Sequence, residues 1–150
     1  MPSADPVATD LIALPEPYEA PVQLRSELCR LGGRGIAAYA EALLGDEEVF
    51  HVVRSRARHD VGVWFRRPRI WVFATAGELV LGAWSRFRQG PAPLERRIDY
   101  AALRAWIYND VTGELLVKTR DPTDDLPGLR MAPLDGYQLL AQIRKGLDHG

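Results

Sequence analysis

Residues 70–81 read IWVFATAGELVL, an apolar run, the pair Ala76-Gly77, and a second apolar run. Ile, Val, Trp and Phe favour extended backbone, where branched and ring side chains pack on a pleated surface. Ile70, Val72 and Ala74 alternate with Trp71, Phe73 and Thr75, the period-two pattern of a sheet with one dry face. Between the two runs there is room only for a tight turn, and Gly77 is expected to supply the positive φ such turns demand. The stretch therefore predicts an antiparallel hairpin, with strands at 69–75 and 78–84.

The same vocabulary continues on either side. Strands are predicted at 49–57, 94–99, 103–109, 114–119 and 128–132, with 61–66 as an extra strand or an extension of the first. In the run 103–109, Leu103, Ala105 and Ile107 oppose Arg104, Trp106 and Tyr108. Asp110-Val111-Thr112-Gly113 is short enough for a second hairpin turn. After the strands, Asp135 and Gln138 form a capping-box pair, and Tyr137, Leu140, Ile143 and Leu147 then repeat at helical spacing. One amphipathic helix must bury its stripe, and the sheet is the nearest surface. The predicted class is mainly β (α+β): a seven-stranded bent antiparallel sheet or open barrel capped by a C-terminal helix.

Upstream, Leu24, Leu28, Leu31, Ile36, Tyr39 and Leu43 also recur at helical steps, so a helical segment is added at the N-terminal side. Gly32, Gly33 and Gly35 interrupt it, and a glycine costs a helix interior up to about 1 kcal/mol relative to alanine. Two short helices are expected instead of one rod. Prolines 2, 6, 15, 17 and 21 crowd the first 21 residues, which read as a flexible arm. The expected organisation is an arm over 1–21, a helical segment over 22–47 and the β domain over 48–150.

The chain has 150 residues, 47% hydrophobic and 26% charged, enough to bury a core without disulfides or metal. A single cysteine, Cys29, cannot form an internal bridge. The opening MPSADPVATD lacks the basic and apolar regions of a signal peptide, so a cytoplasmic setting is expected. The formal net charge is -1, but residues 1–49 hold 3 basic and 9 acidic side chains, whereas residues 50–97 hold 10 and 3. The central segment would draw anions locally.

This order of elements resembles the pleckstrin-homology-like (PH-like) superfold, its bacterial members in particular. The hairpin at 70–81 is similar to that family's second and third strands, where an apolar strand ends in threonine before a tight turn. Arg97 to Tyr108 resembles its fourth strand, corner and fifth strand, and Thr112-Gly113-Glu114-Leu115 the next hairpin. The likeness covers about residues 48–145. It implies a non-catalytic module that binds a protein partner or an anionic surface. Lipid-binding members of the family hold inositol phosphates with a basic residue on the first strand and a basic-x-Arg pair on the second, a spacing that Arg54 and Arg67-Pro68-Arg69 imitate.

The candidate anion- or partner-binding set is therefore Arg54, Arg56, Arg58, Arg66, Arg67 and Arg69. Guanidinium groups at alternate strand positions point the same way and grip phosphate oxygens in pairs, and Arg54, Arg56 and Arg58 share a face. The alternative is a small barrel enclosing an apolar ligand, which would need an open volume between sheet and helix. Expected partners are a protein, the periphery of an anionic membrane, or a second copy of the chain through an edge strand. Specific nucleic-acid binding is not expected, because tryptophans 64, 71, 84 and 106 read as core or interface and the net charge lacks the required footprint. No cofactor or metal is expected. Gly33-x-Gly35-x-x-Ala38 follows a helical pattern where a dinucleotide fingerprint follows a strand. His51, His59 and His149 lack metal-ligand spacing and read as ordinary core or surface histidines. Cys29 has no adjacent base and G-x-S-x-G is absent, so no catalytic residues are assigned. A buried titratable pair in a cleft would be needed to revive an enzymatic reading.

Overall fold

A computed structural model describes residues 14–57, 68–122 and 128–149. Two helices, α1 (Leu24–Gly32) and α2 (Arg34–Leu44), precede seven strands: β1 (Val49–Ala57), β2 (Arg69–Thr75), β3 (Glu78–Ser85), β4 (Gly90–Asp99), β5 (Leu103–Asn109), β6 (Glu114–Thr119) and β7 (Leu129–Arg130). A short 3-10 turn, Tyr100–Ala102, joins β4 to β5, and α3 (Pro133–His149) follows the strands. All pairings are antiparallel, in the order β4-β3-β2-β1-β7-β6-β5, and the sheet curls into a half-barrel. The additional strand expected at 61–66 lies outside the described residues.

Two hydrophobic clusters hold this arrangement together, one on each face of the sheet. On the inner face, Val53, Val72, Leu79, Leu81, Leu115, Val117 and Leu129 meet Leu139, Leu140 and Ile143 of α3. On the outer face, Val52, Trp71, Phe73, Val80 and Trp84 meet Leu28, Ile36, Ala37, Ala40 and Leu44 of the N-terminal helices. Each such large apolar side chain contributes about 1.5–3 kcal/mol by leaving water. The alternation in 70–75 thus separates two dry faces where one was expected, because α1 and α2 cover the second.

Glycines set how closely the helices lie. A Cβ on Gly32 would stand 2.8 Å from the Trp71 ring and one on Gly35 2.7 Å from the Trp84 ring, so bare backbone leaves space for both indoles. The helical break falls at Gly33, whose φ of 97° is unfavourable for side-chain-bearing residues. On the opposite face, Tyr108 rests on Gly136 and Tyr100 on Gly146. The hydroxyls of these buried tyrosines donate to Met131 O and Thr75 O, each at 2.8 Å.

Three local expectations need correction. Gly77 has no positive φ; Thr75 closes its turn instead, its Oγ1 accepting from Glu78 N at 3.1 Å and donating to Glu78 O at 2.9 Å. The last helix starts at Pro133, a first-turn position where the missing N–H goes unmissed, so Asp135 lies inside the first turn and does not cap it. In β5 a register shift between Leu103 and Ala105 inverts the alternation, so that Leu103 and Tyr108 are both buried.

Of the arm expected over 1–21, residues 14–21 run without regular secondary structure, and part of the stretch lies beside α3. Gln138 and Gln142 donate to Glu16 O and Tyr18 O at 3.3 and 3.5 Å, and Lys145 Nζ donates to Tyr18 O at 3.1 Å. Residues 138, 142 and 145 form one stripe on a helix, which explains how three donors reach this one strap. Val22 N then donates to Val49 O at 2.7 Å and ties the strap to β1.

Candidate functional site

The arginines do not assemble as one described cluster. Arg58, Arg66 and Arg67 lie outside the described residues. Arg54 stands on the outer face of β1, opposite Trp71, and its Nη1 donates to Leu31 O at 2.8 Å. Leu31 is in the last turn of α1, where carbonyls lack helical partners, so a guanidinium there completes hydrogen bonding and faces the negative end of the helix dipole. Arg56 is exposed opposite Arg130 of β7, and Arg69 is half-buried opposite Trp84 of β3.

A cleft that sequence reasoning did not single out lies beside Arg54. It encloses about 340 Å³ and is lined by Tyr18 and Val22 of the strap, Glu27, Arg30 and Leu31 of α1, His51, Val52 and Arg54 of β1, and Asp135 of α3. Its deepest polar group is the His51 ring, whose side chain is 9% exposed. Nε2 stands 3.5 Å from Asp135 Oδ1 but forms no hydrogen bond. The Tyr18 ring lies over the imidazole with centroids 5.5 Å apart. Arg30 pairs with Glu27 at 2.5 Å, and with Arg54 and Asp135 the lining carries two formal positive and two formal negative charges.

Burial governs the titration of this pair. Loss of hydration pushes the His51 pKa below its ordinary 6.5, although the carboxylate and backbone of Asp135 and, more distantly, Glu27 oppose the shift. Burial likewise raises Asp135, while His51 pulls it down. His51 is therefore a neutral ring near pH 7. Among the described residues the cleft lining holds no serine, threonine, cysteine or lysine, and Cys29 is exposed on α1.

His51 and Asp135 are 84 positions apart, so no local spacing marks them as partners. The available signal was a histidine at a buried strand position followed by Val52 and Val53. A second polar cluster supports the fold: Arg97 bonds Glu47 at 2.8 Å, Glu78, and Leu43 O at 2.6 Å, tying the end of α2 to the sheet. Among the described residues, no helix is long and apolar enough to cross a membrane. No family model matches the chain, and no curated protein matches it significantly.

Proposed function

We propose that the chain is a non-catalytic, PH-like interaction module that takes up an extended segment of a protein partner along the edge of β5. The observation that carries this reading is the contrast between the two sheet edges. Edge strand β4 contains Pro91 and Pro93, which remove backbone donors and discourage pairing. Edge strand β5, LRAWIYN, has no proline, and among the described residues it pairs only with β6. It offers backbone groups for strand addition, beside an exposed Ala105 and half-buried Trp106 and Ile107 that would read the incoming side chains.

The filled interior weighs against an apolar ligand carried inside the barrel, because leucines and tyrosines from sheet and helix occupy that space. The helix-capping role of Arg54 weighs against the phosphate-gripping version of the surface reading. The test is capture of partners from the native host with the wild-type protein and with Ile107→Lys, followed by amide-shift mapping of the purified complex. The expected result is loss of capture by Ile107→Lys at unchanged unfolding midpoint, with shifts concentrated on Leu103–Asn109. Retained capture, or shifts confined to α1, α2 or β1, would refute the edge as the binding surface.

A further inference from the structure

We propose that the seam between β1 and α3, filled in this chain by its own residues 14–18, is a peptide-binding groove from which an extended, proline-free segment of a partner protein displaces the strap. This seat is separate from the β5 edge. Leu139, Leu140 and Ile143 of α3 face the inner core, yet Gln138 and Gln142 on the strap side are enclosed as thoroughly, at 5% and 3% exposed. Burying a carboxamide costs free energy unless its donors and acceptor are hydrogen-bonded, so a helix side that only had to be covered would be apolar. The stripe offers donors to main chain instead: Gln138, Gln142 and Lys145 all meet carbonyls, those of Glu16 and Tyr18. The two carbonyls are two residues apart, the interval at which groups recur on one side of an extended segment. Being backbone, they are offered by any sequence. The other wall of the seam is β1, where Val49 O accepts from Val22 N and β7 pairs, in the described registers, only with Arg56 and Ala57.

The strap occupies this seam incompletely. The two glutamine bonds, at 3.3 and 3.5 Å, are beyond the usual range for N–H···O contacts. None of residues 14–22 is itself buried, and Tyr18 is 40% exposed, so little apolar contact holds the segment down. Among the described residues, two buried side-chain polar atoms lack a hydrogen-bond partner, His51 Nε2 and Gln138 Oε1. Both adjoin the strap: the His51 ring pairs with the Tyr18 ring, and Gln138 Oε1 belongs to the carboxamide that reaches Glu16 O. An amide oxygen only accepts, so Oε1 calls for an N–H. Pro15 and Pro17 remove two of the four N–H groups of residues 15–18, and a proline-free segment restores them.

The experiment sets two synthetic peptides against the strap of the full chain: residues 14–20 unaltered, and the same peptide with Pro15→Ala and Pro17→Ala. Each is titrated into isotopically labelled protein. The proline-free peptide is expected to shift the Gln138 carboxamide and the amides of Val49, His51 and Gln142 saturably, while the Glu16 and Tyr18 amides move to random-coil positions as the strap leaves. The tethered strap competes at an effective concentration of about millimolar, so saturation is expected in that range. The unaltered peptide should bind about fivefold more weakly, the worth of one hydrogen bond. Placing Pro15→Ala and Pro17→Ala in the chain itself should slow exchange of the strap amides with solvent and make the strap about fivefold harder to displace. Gln138→Leu should erase the difference between the two peptides. The proposal is overturned if the proline-free peptide gives no saturable shift along the seam, if the two peptides bind equally to the wild-type chain, or if the altered strap exchanges faster and is displaced more readily. Shifts confined to Leu103–Asn109 would put the peptide on the β5 edge and equally overturn it.

Discussion

Gly136→Ala should destabilise this protein, although the same change in most helices is favourable. Alanine exceeds glycine by up to about 1 kcal/mol in helix propensity. Here the added Cβ would stand 2.4 Å from two Tyr108 ring carbons and 2.7 Å from a third. The ring has little room to yield, since its hydroxyl is held by Met131 O and it packs in a T-shaped pair with the Tyr137 ring, centroids 5.2 Å apart. Overpacking of this kind costs about 1–3 kcal/mol, and displacing the ring also threatens a buried hydrogen bond worth about 1 kcal/mol. The expected net loss is about 1–3 kcal/mol, measured by urea unfolding. In a Tyr108→Ala background the obstacle is gone, and Gly136→Ala should become neutral or stabilising by up to about 1 kcal/mol, giving a coupling of about 1–4 kcal/mol in the double-mutant cycle. A stabilised Gly136→Ala single variant, or additivity within about 0.5 kcal/mol, would show that the ring does not rest on this glycine.

Three further outcomes follow from the site. The His51 pKa is lowered in the folded state, so below its ordinary 6.5 the unfolded chain takes up the proton first and stability falls as pH falls; His51→Phe should flatten that part of a urea-midpoint profile between neutral and mildly acidic pH, and an unchanged slope would remove the buried neutral ring from the account. Asp135 has the opposite sign in a more acidic window, where its raised pKa favours the folded, protonated form, so the two contributions separate by variant. Arg54→Met keeps most of the stem but removes the donor to Leu31 O, and should cost about 1 kcal/mol in urea unfolding; a neutral result would mean that the guanidinium does not complete the end of α1.

Much of the architecture was readable because it is local. The β-branched and aromatic runs at 49–57, 69–75, 103–109 and 114–119 have the observed strand limits, and the glycines at 32–35 announced the break between α1 and α2. What escaped was set by distant packing. Nothing within 70–75 says that a second layer covers Trp71 and Phe73, because one- and two-sided burial differ only in what lies beyond the strand. The bulge at Arg104 leaves no compositional trace, yet it decides which of Trp106 and Ile107 faces inward. The cleft was the least legible feature, since it needs the strap, α1, β1 and α3 to converge before His51 and Asp135 meet. The arginine pattern was visible, but spacing alone could not distinguish a phosphate grip from a guanidinium closing a helix end.

The rings that sit against bare backbone also fix where each helix stands along the sheet. Trp71 and Trp84 occupy hollows at Gly32 and Gly35, and Tyr108 and Tyr100 occupy hollows at Gly136 and Gly146. Sliding either helical layer by one residue would bring a methyl group or larger side chain against an indole or phenol, so neighbouring alignments are sterically barred. Size changes at these positions must therefore be reciprocal, with a bulkier helix residue tolerated only when the facing ring shrinks.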